Sequence, residues 1–167
     1  MVTQHKVKTK PGIGIRLRSF GKVLRAHKAH KASIIESMQD SIFTKIIRGE
    51  IPCHKIYEDD KTLAFLDIHP QMTGHTLLIP KQQIDQLWDL PEDLYQHLWD
   101  VAKKIEQRLI EIIKSPRVGV AVEGFGVPHA HIHLIPLYKI EDFKKPQDMN
   151  VEPDHAKLAE LAKRLAF

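Results

Sequence analysis

His129, His131 and His133 alternate with Ala130, Ile132 and Leu134 in a run that ends in Ile135-Pro136. Successive residues of a strand point to opposite sides. The spacing therefore predicts three imidazoles in a row on one face, each about 7 Å from the next, with the apolar residues on the other. Imidazole can be a nucleophile, a proton donor or a metal ligand near neutral pH. A strand needed only for packing would carry Val, Ile or Leu at such positions, so satisfied structural histidines are the weaker reading.

The elements that would position this row can be read from periodicity. In residues 41–48 the apolars Ile42, Phe43, Ile46 and Ile47 recur at helical spacing, and Gly49 offers a stop. Strands are expected at 54–58 and 62–67 around an Asp59-Asp60-Lys61 turn, and at 75–79 before Pro80. Pro91, Glu92 and Asp93 make a helix start. Leu94, Leu98, Val101, Ile105, Leu109 and Ile112 then form one apolar stripe up to Ser115-Pro116. Strands follow at 118–122 and 130–136, and Leu158, Leu161, Ala162 and Leu165 space a last helix behind Pro153. Most links are too short for parallel crossovers. The expected fold is α+β: a five-stranded antiparallel meander with a short N-terminal helix, one long helix and a C-terminal helix.

The 167 residues suit one domain with appendages, and 43% hydrophobic residues are enough for a real core. The single cysteine, Cys53, rules out an internal disulfide and a cysteine cluster for zinc. That fits a reducing, cytoplasmic setting, and no window approaches a membrane span. The net charge of +4 is uneven: residues 1–37 hold nine Lys or Arg against Glu36 alone, leaving 16 basic and 20 acidic residues for the rest. A basic pI thus describes the arm, not the domain, and nucleic-acid binding is expected only weakly and through the arm. Three readings of residues 1–37 stay open: a disordered arm, a transit peptide, or upstream sequence read through from an early start, which the abrupt change at Met38 favours. The expected division is a basic extension at 1–37, a domain at 38–140 and a C-terminal extension with a helix at 141–167.

Four blocks occur in order: Ile42-Phe43-x-Lys45-Ile46-Ile47-x-Gly49-Glu50-Ile51-Pro52, Ala64-Phe65-x-Asp67-Ile68-x-Pro70, Gly74-His75-x-Leu77-x-Ile79-Pro80-Lys81, and Pro128-His129-x-His131-x-His133. Together they resemble the histidine triad (HIT) superfamily of nucleotide hydrolases and transferases, and most nearly its bacterial Hint-like branch. The resemblance implies that His131 attacks the α-phosphorus of a purine nucleotide, leaving a nucleotidyl-histidine for water to hydrolyse. It implies that His129 and His133 donate to phosphate oxygens and shuttle protons, with His75 supporting the phosphate site. Asp67 would accept the ribose hydroxyls, with Phe43, Ile42, Ile46, Phe65 and Ile68 around the base. Gly126 and Val127 would belong to a loop close to the phosphate.

Phosphoramidates or related conjugates are the implied substrates, with dinucleoside polyphosphate hydrolysis of the Fhit type, or a nucleotide-binding scaffold, as alternatives. A homodimer through the long helix and the strand after it is implied as well. Two departures matter. The Gly124–Pro128 loop is short and lacks the usual polar residues, and the Asn common near the end of the fourth strand is replaced around Val122-Glu123. Some relatives hold a structural zinc where this chain has Ser41, Thr44 and Gln83, so no zinc and no other cofactor is expected.

No periodic apolar face in residues 1–37 demands burial. A chain beginning at Met38 should therefore match the full chain in melting temperature and in turnover, with RNA binding of the full chain weak and salt-sensitive. A large loss of turnover on truncation, in a side-by-side assay, would show that the arm takes part in the site.

Overall fold

Ser41 begins the ordered chemistry of the fold: its hydroxyl accepts the N–H of Thr44 and caps helix α1 (Ile42–Ile47). A computed structural model describes residues 39–167; the basic arm expected at 1–37 lies outside them. Strands β1 (His54–Glu58), β2 (Thr62–Leu66) and β3 (Thr76–Pro80) follow as antiparallel neighbours. The β1–β2 turn is built by Asp59, whose carboxylate accepts the N–H groups of Lys61 and Thr62. Burial alone would raise the Asp59 pKa, but these bonds and those from His97 and Tyr57 hold it well below the usual carboxylate range. His97 is thus a partner of this turn at 2.7 Å.

Helix α2 (Glu92–Ile113) carries Glu92 and Asp93 in its first turn and buries Leu94, Leu98, Val101, Ala102, Ile105 and Leu109. Beyond it come β4 (Arg117–Ala121), β5 (Ile132–Leu137) and helix α3 (His155–Leu165), with short 3₁₀ turns at Leu87–Asp89 and Ile140–Lys144. The sheet order is β1-β2-β3-β5-β4, antiparallel throughout. The α+β class and the five antiparallel strands are as expected. The last two strands depart from simple meander order, because α2 carries the chain to the outer edge before β5 returns to pair with β3.

Register divides the sheet into two faces. Ala64, Leu78 and Ile132 are cross-strand partners, as are Leu66, Thr76 and Leu134; their apolar members pack with α2 and with Ala162 and Leu165 of α3 in the main core. At roughly 25 cal/mol per Å² of apolar surface, this face supplies most of the burial. The opposite face carries Leu63 beside Ile79, and Phe65 beside Leu77 beside His133, under Phe43 from α1. Residues 39–167 form one compact unit, so α3, read from sequence as part of an extension, packs into the same core. Among the described residues no helix is long and apolar enough to cross a membrane.

Gly74 enters β3 at φ +88, and a Cβ there would lie 3.1 Å from Ile113 Cγ1 and 3.2 Å from Pro136 Cγ. Gly74→Ala should cost about 1–3 kcal/mol in urea unfolding, since strain and crowding add. An unchanged midpoint would mean that the β2–β3 loop relaxes freely.

Candidate active site

The chain adopts regular strand geometry only at Ile132, so of the three histidines His133 alone lies in β5. This corrects the expected row of three on one strand face. His129 and His131 sit on the irregular approach, and the rings of His131 and His133 are 4.9 Å apart, closer than a flat strand would set them. Phe43 lies edge-on to His129 at 5.8 Å, to His131 at 5.2 Å and to Phe65 at 5.7 Å, fixing the short helix against the histidines.

Hydrogen-bond partners assign the proton on each ring. The carbonyl of His129 can only accept, so His131 donates to it from Nδ1 at 2.7 Å. Its Nε2 is left with a free lone pair, 3.7 Å from Glu123 Oε1. The backbone N–H of Gln71 points at Nδ1 of His75, so His75 donates from Nε2 to Nδ1 of His133 at 2.9 Å. His133 must then carry its proton on Nε2. That atom is buried without a partner among the described residues, with Glu123 Oε1 at 3.8 Å. Burial lowers both rings to about 4, helped at His133 by its histidine neighbours. Both are therefore neutral at pH 7, and the 3.7 Å approach of Asp67 to His75 is not an ion pair.

His129 differs from its expected role. It is fully buried, donates from Nε2 to the Pro80 carbonyl at 2.8 Å, and accepts the Ser41 hydroxyl at Nδ1 at 2.9 Å. Neither nitrogen is left for a phosphate oxygen. What His129 offers the site is its backbone carbonyl, held in place by the two side-chain bonds. Ser41 is itself part of a network, because Thr44 donates its hydroxyl to Gln83 Oε1 and Gln83 also accepts the Ser41 N–H.

The positions expected to lack zinc ligands thus meet at His129. One imidazole nitrogen with two hydroxyls and an amide oxygen does not fit zinc, which takes thiolate, imidazole or carboxylate. Two other groups, Asp67-His75-His133 and Glu123-His131-His133, each bring one carboxylate and two imidazoles together. In each, the relay from Gln71 occupies or protonates a nitrogen that a metal would need.

Asp67 lies beside His75, continuing the β2–β3 ladder through its N–H to the His75 carbonyl. Its Oδ1 accepts the N–H of His69, and its Oδ2 accepts from Gln147 at 2.6 Å. Burial raises its pKa, while those two bonds and His133 oppose the rise. Phe43 and Phe65 are buried and Ile46 is partly so, whereas Ile42 and Ile68 are exposed at 49% and 42% and are the apolar groups a ligand can reach. Val127 packs against the apolar cluster that includes Phe43, and the space beside Gly126 is open. Sequence reasoning missed Gln71, Gln147 and Ser41 as parts of the site, since no local pattern marks a hydrogen bond across the fold. It noted Glu123 only as a departure. A cavity of about 380 Å³ between the β2–β3 loop and α3 touches the site only through Ile68.

Comparison with known proteins gives consistent matches. The family model described as the HIT domain matches residues 48–140. An uncharacterized HIT-like protein of Borreliella burgdorferi is 38% identical over 140 residues, covering 78% of this chain and 99% of its own. The adenylylsulfatase HINT3 of Arabidopsis thaliana is 36% identical over 102 residues, 58% of this chain and 52% of that protein. The crystal structure of a Hit-like protein of Bartonella henselae superposes with a TM-score of 0.67 at 31% identity, covering 75% of this chain and 93% of that one.

His75 and His133 gain protons on unfolding, because their folded values of about 4 lie below the ordinary 6.5. Their contribution to stability is whole above about pH 6.5 and is lost as the pH falls toward about 4. Between about pH 7 and 5, where carboxylates titrate little, unfolding free energy should drop by about 2 kcal/mol or more. A flat profile over that range in denaturant titrations would overturn the neutral relay.

Proposed function

Because the chain belongs to the HIT domain family of nucleotide-binding, hydrolase-like proteins, we propose that it hydrolyses purine nucleoside phosphoramidates or related nucleotidyl conjugates at the α-phosphate. The observation that carries this reading is the pair of nitrogens at the end of the row. His131 Nε2 has a free lone pair, and beside it His133 Nε2 carries a proton with no partner among the described residues. One atom suits attack on phosphorus, and the other suits donation to a phosphate oxygen.

In the first step the His131 Nε2–P bond forms and the bond from phosphorus to the leaving group breaks. A departing amine takes a proton from solvent. The nucleotidyl-histidine is positively charged on its ring, and the His129 carbonyl at Nδ1–H steadies that charge. Water then attacks phosphorus, the P–N bond to His131 breaks, and a proton returns to solvent. The relay Gln71 to His75 to His133 keeps the donor nitrogen protonated throughout.

Asp67 serves as acceptor for the ribose hydroxyls. Each carboxylate oxygen accepts twice, so lone pairs remain beside the bonds from His69 and Gln147. The base lies against Ile42 and Ile68, over the buried Phe43, Phe65 and Ile46, and Gly126 and Val127 border the phosphate. His129 is a positioning residue. The relative named adenylylsulfatase supports hydrolysis as the reaction class. The working form is a homodimer joined through α2 and β4, since β4 is the outer strand with Val120 exposed at 42%.

His131→Asn should lower turnover of adenosine phosphoramidate by at least about 10³-fold while leaving the nucleotide Kd within about threefold, since only the attacking atom is lost. Acid quenching of the wild-type reaction should trap radiolabelled nucleotide on the chain. Near-normal turnover by the variant would remove the covalent mechanism, and faster cleavage of diadenosine polyphosphates than of phosphoramidates would reassign the substrate.

A further inference from the structure

In-line displacement carries the leaving atom away from the attacking nitrogen, along the axis from His131 Nε2 through phosphorus. Whatever is bonded to phosphorus on that side must therefore occupy the space that Nε2 faces. A pocket of about 260 Å³ is lined by His131 and by Glu123, whose Oε1 lies 3.7 Å from that nitrogen, but by none of Phe43, Phe65, Asp67 or His75. It is separate from the surfaces assigned to base and ribose. His131 is only 3% exposed, and its Nε2 accepts no hydrogen bond among the described residues.

The walls are acidic. Glu123 places Oε1 3.7 Å from His131 Nε2, and Asp85 lies on the segment that leads to α2. Among the described residues no lysine or arginine lines the pocket. Its mouth is aromatic: Trp88 is 71% exposed and Phe125 is fully exposed, so each has a ring face free to meet a cation. An anionic leaving group such as pyrophosphate or sulfate would meet two carboxylates and no counter-charge. A positive one would meet both carboxylates and two rings.

We propose that Glu123 and Asp85 make this pocket a selector for leaving groups that bear a positive charge of their own, such as an alkylamine ending in an ammonium group. This rests on the hydrolase reading and narrows it to conjugates in which the nucleotide is joined through nitrogen to a polyamine-like chain. In the reaction the P–N bond breaks as the His131 Nε2–P bond forms. The freed nitrogen takes a proton from solvent, and the distal ammonium stays charged throughout. Glu123 and Asp85 transfer no proton; they determine specificity.

The test compares three adenosine 5′-phosphoramidates of equal chain length, made from 1,4-diaminobutane, pentylamine and 4-aminobutyrate, on the full chain. The diamine conjugate should exceed the carboxylate one in kcat/KM by at least about tenfold, with pentylamine between. In Glu123→Gln and in Asp85→Asn the ratio should shrink, and in the double variant the three should converge. The same three conjugates bound to His131→Asn, with Kd measured by calorimetry, should rank in the same order and lose the ranking when Glu123→Gln is added. Equal kcat/KM for all three in the wild type, or a ratio unmoved by both single variants, would overturn the proposal. Ranked binding without any turnover would instead overturn the hydrolase reading while leaving the pocket's charge preference standing.

Discussion

The site depends on one hydrogen bond, from His131 Nδ1–H to the carbonyl of His129. A neutral imidazole has one donor and one acceptor nitrogen, and a backbone carbonyl can only accept. The bond therefore decides which nitrogen of His131 faces the pocket as a lone pair. The carbonyl is within reach because residues 129–131 have not yet entered the strand, and it stays there because His129 is anchored at both of its own nitrogens. An uncharged acceptor two residues upstream does here what a carboxylate does in many other sites. It holds the tautomer without bringing a charge of its own to the ring.

A second tautomer is fixed from the other direction. Gln71 supplies its backbone N–H to His75, and the proton order passes through His75 to His133. The side chain of the same residue donates to the carbonyls of Phe143 and Lys145. Gln147, a little further along that segment, donates to Asp67. The stretch after β5 is thus tied at several points to the loop that carries Asp67 and His75, and both residues are braced from outside the sheet.

Much of this was legible in the residues. The apolar stripe of α2 and the alternation in β1 to β3 depend on local periodicity, and the strands and helices fall within a residue or two of the expected positions at most ends. The start of β5 was not legible, because His-x-His-x-His has strand spacing whether or not the backbone is regular. Sheet order was not legible either: the length of α2 permits a return to either side of β3, and only packing selects the edge. For the site, the types of His75, His131 and His133 pointed to chemistry. The withdrawal of His129 from it required knowing that Ser41 and the Pro80 carbonyl converge on one ring, 88 and 49 residues away in the chain. Glu123 stood out only as an unexpected residue, and its meaning came from its distance to two ring nitrogens.

The two faces of the sheet separate what the chain must keep from what it is free to vary. The α2 face carries the main apolar burial, and the face under Phe43 carries the histidines, with β3 and β5 shared between them. The segments that shape the pocket beyond His131 contribute Glu123, Phe125 and the half-buried Asp85, all outside the strands and without a place in the apolar core. Changes there have little mechanical route into the packing. If the chain cuts nucleotide conjugates as proposed, such a scaffold would let descendants of one ancestor acquire different tastes for what is cut off while inheriting an unaltered attacking group, and divergence in this lineage would be read first in the loops before α2 and after β4.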